Sequence, residues 1–239
     1  MKQNFKPGLF PWFSLLTGVV GLSLQSLLFS EADEGGLLPA GHFGSILSFV
    51  LFALTIGVCL LVLRKQKVSH SYRRQFPQSL IAAAGGVIGA GGLVFTAFSQ
   101  NTTGLVKILF PALGVLAAAA LLLISFYRVR GLRPHYLLRC AVTLFLTLRA
   151  VQCCRVWGSE PQLQLYFFPL LASLFLILAC YYRTELDAKN GDCRRYCFFS
   201  QAAIFCCCLS VPGQEGLFYL AAGIWMAADF CALPALRQP

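Results

Sequence analysis

Acidic residues and histidines are scarce in this chain. Its 239 residues include nine Asp and Glu and three His, and charged residues make up only 12%, about half the share found in soluble domains. A conventional soluble domain is therefore excluded, and little material remains for acid–base or metal chemistry. The histidines, His42, His70 and His135, fall in loops or at the ends of apolar segments, so neither a Cys/His metal set nor paired haem ligands can be drawn. The eleven cysteines contain no C-x-x-C pair. Cys153 and Cys154, the run Cys206, Cys207 and Cys208, and the one-turn pair Cys193 and Cys197 are expected to be reduced, small packing residues; the alternative is a disulfide or redox pair among those near the outer end. No cofactor is implied. Nor is an enzyme: the predicted spans hold a single acid, Asp229, and a serine mechanism would have no visible base.

What the chain does have is apolar length. Apolar residues reach 58% and the mean hydropathy is +0.72. A bilayer core about 30 Å thick takes roughly 20 apolar residues at about 1.5 Å per residue. Candidate spans occupy 9–29, 43–63, 79–98, 104–127, 136–155, 163–182, 196–211 and 216–234. The expected fold is an all-α polytopic integral membrane protein with about eight transmembrane helices and both termini cytoplasmic. Span 196–211 is the weakest, and its failure to cross would leave seven. The whole chain, 1–239, reads as one membrane domain. Similar loop lengths in its two parts raise an alternative of parallel four-helix halves, 1–130 and 131–239.

The connections test that count, because cytoplasmic loops collect Lys and Arg. Lys2 and Lys6, "RKQKVSHSYRRQ" (64–75), "RVRGLR" (128–133), the group Arg183, Lys189, Arg194 and Arg195, and finally Arg237 alternate with "SEADEGG", "SQNTTG", "RVWGSEPQ" and "VPGQEG". Eight spans place nearly all the basic residues on one side. The net charge of +10 is thus a topology signal, and no nucleic-acid partner is implied. An alternative role for the 64–74 loop is attraction to anionic lipid headgroups. The N-terminal Lys2, Lys6 and apolar run resemble a signal peptide, but 9–29 is too long for a cleaved signal core, so a retained helix entered through Pro7, Pro11 and Trp12 is expected. The Asn101-Thr102-Thr103 sequon lies too close to two membrane ends to be a useful glycan acceptor.

The glycine cluster "AAAGGVIGAGGL" (82–93) lacks the Lys-Ser/Thr of a P-loop and sits in an apolar span. Gly85 with Gly89, and Ala82 with Gly86 and Ala90, form small-residue rows that predict close approach of a neighbouring backbone.

Two arginines interrupt the fifth span. Arg139, Thr143, Thr147, Ala150 and Cys154 fall on one helical side and predict a protein-facing stripe, with Leu144, Leu148 and Val151 opposite. Arg139 is expected to snorkel or to form a structural ion pair with Asp229 at similar depth. Arg149 lies deeper, and a charge near the bilayer centre costs at least about 2.5–3.5 kcal/mol on insertion scales. No acid at its depth is visible in the sequence. Arg149, with Gln25, Gln201 and Lys107, is therefore the candidate set for an outward-facing site taking a small polar or anionic solute; the competing expectation is that Arg149 snorkels or bonds backbone carbonyls.

The segment "PGLFPWFSLLTGVVGLSLQSLLF", with the acidic loop and "GLLPAGH" after it, resembles the start of a family of small uncharacterised bacterial multi-span membrane proteins. The resemblance covers about the first quarter of the chain. It implies a bacterial cytoplasmic membrane and carries no activity or site residues. The functional expectation is a small-solute transporter or membrane-embedded solute-binding subunit. Its surroundings are the lipid bilayer, and a protein partner enters the expectation because the sequence shows no ATPase motif. The alternative is a non-transporting assembly, immunity or sensory partner protein.

Overall fold

The computed structural model describes residues 10–31, 43–65, 78–100, 106–157, 163–188, 192–213 and 215–232. Among the described residues there are eight α-helices and no strands: α1 (Phe10–Glu31), α2 (Phe43–Lys65), α3 (Leu80–Ser99), α4 (Val106–Val129), α5 (Tyr136–Trp157), α6 (Leu163–Asp187), α7 (Cys193–Ser210) and α8 (Gly216–Cys231). Each falls on one of the eight apolar segments. Stretches of α2 to α6 are long and apolar enough to cross a membrane, and α1 and α8 carry shorter apolar stretches, Trp12–Leu28 and Gly216–Cys231. A membrane-embedded protein is what these helices indicate. The sequon, most of the 64–74 loop, the first acidic loop and the basic residues Lys2, Lys6, Lys189 and Arg237 lie outside the described residues.

Helices α3 to α8 close into a ring. Each packs on its chain neighbours, and α8 returns to pack along α3. Helix α1 lies against α7, and α2 covers α1 and α7 from outside. Glycine makes the closing contact possible: a Cβ on Gly89 would stand 2.9 Å from the Trp225 Cβ, one on Gly92 would stand 2.6 Å from the Ala221 Cβ, and one on Gly85 would overlap Ala228. On the next face of α3, Gly86 meets Ser125 of α4 and Ala97 meets Gly114. Without side chains to hold them apart, the backbones come into direct contact.

Helix α7 explains its own weak apolar signal. Residues 200–207 are all buried, enclosed by α1, α2, α6 and α8. A helix surrounded by protein has no lipid to match, so it tolerates Ser200, Gln201 and three cysteines where a lipid-facing span would carry Leu. Gly18 packs on Cys208 and Gly21 on Leu209, so α1 runs parallel to α7. Helix α2 docks through aromatic rings, with Phe52 at 6.3 Å from Phe168 and 6.1 Å from Phe205, while Phe43, Leu54 and Leu61 point outward. All eleven cysteines are unpaired.

The α4–α5 turn sets the position of two arginines. Gly131 has φ +65°, and the Leu132 amide bonds the Tyr127 carbonyl at 2.9 Å. This is a Schellman ending with Pro134 just beyond it. It folds "RVRGLRP" tightly enough to bring Arg128 and Arg139 to the same end of the ring.

Candidate functional site

Buried charge collects at the two ends of the ring, with apolar packing between them. Residues 139 and 149 on α5 are separated by about 15 Å at 1.5 Å per residue, and Val142, Leu146, Leu176 and Met226 are among the buried side chains of that intervening layer.

At one end Arg149 pairs with Glu215. The guanidinium is 1% exposed and the carboxylate 25%, so the acid stands at the mouth and the base beneath it. Glu215 reaches that position because it occupies the N-cap of α8, turned inward by the short "VPGQEG" connection. Arg149 Nε donates to Thr96 Oγ1 at 3.1 Å and Nη1 to Ser173 Oγ at 3.2 Å. Tyr219 donates to the Pro169 carbonyl at 3.1 Å and lies 3.2 Å from Ser173 Oγ, which leaves the serine proton for the tyrosine oxygen. The guanidinium carbon also sits 3.6 Å from the Phe218 ring centre, a cation–π contact that compensates part of its lost hydration. Gln100 Nε2 donates to Glu215 Oε1 at 3.0 Å, and the Cys153 thiol lies 3.7 Å from Oε2.

At the other end three arginines meet two aspartates. Arg139 Nε donates to Asp187 Oδ2 at 2.7 Å. Arg183 lies 3.8 Å from Asp187 and 3.8 Å from Asp229, and Arg128 lies 3.6 Å from Asp229. The Tyr196 hydroxyl donates to Asp229 Oδ2 at 2.7 Å. All six residues are buried. The C-terminal ends of α4, α6 and α8 and the N-terminal ends of α5 and α7 supply them, as an up-and-down order of helices requires.

Several sequence expectations are corrected by this geometry. Arg149 does have an acid at its depth, Glu215; the sequence hides it because Glu215 reads as a loop residue. Arg139 bonds Asp187 directly, whereas Asp229 takes Arg128, Arg183 and Tyr196; α6 continues past the expected 182 to Asp187 and delivers an acid that lies beyond the apolar span. The protein-facing stripe of α5 runs through Arg139, Val142, Leu146, Arg149 and Cys153, while Thr147 and Cys154 are exposed. Thr143 and Thr147 satisfy their hydroxyls on carbonyls one turn back, at 2.9 Å each, so their polarity is no guide to the buried side. Leu144, Leu148 and Val151 are exposed, as expected.

The other candidates do not gather at Arg149. Gln25 is buried and donates to Ser48 at 3.3 Å across α1 and α2. Gln201 is buried in α7, and neither of its amide atoms has a hydrogen-bond partner among the described residues. Lys107 is exposed on α4. No group of three or more His, Cys, Asp and Glu among the described residues is arranged to hold a metal ion.

Comparison of the chain with family models, with curated proteins and with solved structures returns no match. The functional reading therefore rests on the two charged ends of the ring.

Sequence reasoning misses Thr96, Gln100, Ser173, Glu215 and Tyr219 at the first site and Arg128, Arg183, Asp187 and Tyr196 at the second. The one local signal is Arg183 and Asp187 at i,i+4, an ion-pair spacing at the end of an apolar helix. In the sequence Arg128 and Arg183 stand out only as topology charges.

Proposed function

We propose that the protein is a multi-pass membrane protein, with eight spans and both ends cytoplasmic, that binds and carries a small polar solute through the interior of the α3–α8 ring. The observation that supports this reading most is the wholly buried Arg149 held under the partly exposed Glu215. An intramembrane ionisable pair is costly to insert, and such pairs characteristically line substrate pathways. A solute bearing an anionic group can exchange with Glu215 for Arg149, and one that also bears a cationic or donor group can take up the released carboxylate. Gln100, Cys153 and Tyr219 frame the same mouth. Two polar ends separated by an apolar layer suit a carrier that opens to one side at a time. The proposed setting is a bacterial cytoplasmic membrane.

One observation favours a second reading, a non-transporting assembly, immunity or sensory partner: every nitrogen of the Arg149 guanidinium is already engaged, as in a structural pair. Reconstituted protein assayed for uptake of amino acids, small organic acids and inorganic anions tests the choice. Uptake that is lost in both Glu215→Gln and Arg149→Gln, while both variants remain folded, supports transport. Absence of uptake for any solute, with a stoichiometric protein partner recovered, favours the second reading.

A further inference from the structure

Adjacent cysteines on a helix do not share a ligand easily. In Cys153 and Cys154, and in Cys206, Cys207 and Cys208, the side chains diverge by about 100° per residue around the helix axis. Cys193 and Cys197 are placed differently. They stand one turn apart at the start of α7, on one face of the helix, and their sulfurs lie 4.0 Å apart. Both are buried, at 3% and 1% exposure, and both are unpaired thiols.

The spacing favours an ion between the sulfurs over a bond joining them. A disulfide holds its Cβ atoms about 3.5–4.5 Å apart, whereas residues four apart on a helix keep theirs about 5–6 Å apart. Oxidation would therefore have to distort the first turn of α7, which Asp192 caps by accepting from the Arg194 amide at 2.9 Å. A bridging ion needs no such closure. With metal–sulfur bonds of about 2.3 Å, two thiolates in line across an ion stand about 4.6 Å apart, so side-chain rotation has to widen the observed 4.0 Å only slightly.

The number of ligands selects the ion. Structural zinc takes four ligands, and no group of three or more His, Cys, Asp and Glu among the described residues is arranged to hold a metal. Asp192, the carboxylate beside Cys193, is engaged by the Arg194 amide and by Arg195 at 3.8 Å. Calcium and magnesium take oxygen ligands instead. Two thiolates suit a soft monovalent ion with a filled d shell, which is satisfied by two sulfurs in line. Such a complex carries one net negative charge. The first-turn amides of α7 favour that charge, and the positive charge of Arg183 acts on both sulfurs.

We propose that Cys193 and Cys197 hold one soft monovalent cation, of the Cu(I) class, between their two sulfurs. Binding exchanges the two thiol protons, which pass to solvent, for the ion. The ion enters at the start of α7, where Asp192, Arg194 and Arg195 are exposed. The site is separate from the Arg149 site, and its occupancy does not depend on whether the protein transports anything.

The test is copper retention by the purified full-length chain in detergent, with ascorbate holding the copper as Cu(I) and bicinchoninate competing for it. The wild-type protein should keep about one copper ion per chain. Cys193→Ala and Cys197→Ala should each lose it, because a single thiolate does not complete the pair. The buried Cys206→Ala and the exposed Cys140→Ala, if folded, should keep it. Copper X-ray absorption of the wild-type protein should show two sulfur neighbours. A structural role for the two thiols predicts neither the retained ion nor its sulfur count. No copper retained by the wild-type protein overturns the proposal, as does equal retention in wild type and either Cys193→Ala or Cys197→Ala. If those variants do not fold, the X-ray absorption decides: three or more sulfur neighbours, or oxygen or nitrogen in place of sulfur, overturns the two-cysteine site.

Discussion

Glu215 closes an ion pair with Arg149 from 66 residues away in the chain, and the two partners are buried unequally, 25% against 1% exposed. That inequality sets the order of mutational costs. Glu215→Gln leaves the deeper charge without its counter-ion, which costs about 3 kcal/mol, the low end for breaking a buried pair. Arg149→Met leaves only a carboxylate that can turn toward solvent, so its cost should be smaller. The double variant should recover part of the loss. Melting temperatures of the four proteins in one detergent check the order; a larger loss in Arg149→Met than in Glu215→Gln would contradict it.

The α3–α8 seam makes a second comparison on one helix. Gly89→Leu drives a side chain into Trp225, whose Cβ and Cγ would both lie 2.9 Å from the new Cβ. Overpacking of this kind costs about 1–3 kcal/mol or more. Gly91→Leu, two residues on, meets nothing within 4 Å and should be neutral. Equal melting temperatures for the two variants would mean the seam is not closely packed.

Asp187 holds two arginines, and its side chain is fully buried. Asp187→Asn should therefore destabilise by about 3–5 kcal/mol. Glu185→Gln, two residues earlier and only partly buried, should stay within about 0.5 kcal/mol. Denaturation by heat or by sodium dodecyl sulfate gives both values.

Gln201 offers a test that separates stability from function. Both of its amide atoms lack hydrogen-bond partners among the described residues, and an unsatisfied buried polar group costs about 1–3 kcal/mol. Gln201→Met should raise the melting temperature. If the variant is also less active in uptake, the amide is retained for the solute; unchanged uptake assigns it no part in transport.

Alkylation of the unreduced, denatured protein should count eleven thiols, since all eleven cysteines are unpaired. A count of nine would mean one disulfide.

Eight helices, their approximate limits and the glycine face of α3 are readable from the chain alone. Apolar runs and small-residue spacing are local patterns, and each helix satisfies its own backbone hydrogen bonds wherever it packs. Alternating basic loops supply an orientation by the same kind of local count. Partner choice is different in kind. Arg149 meets Glu215, Arg139 meets Asp187, and the buried stripe of α5 turns away from Thr147, because these outcomes depend on which helices are neighbours and at what depth. No spacing within one helix carries that information. The weak apolarity of α7 becomes intelligible only once α1 and α2 are seen to cover it. The meeting of three arginines with two aspartates likewise arises only when the ends of five helices are brought together by ring closure.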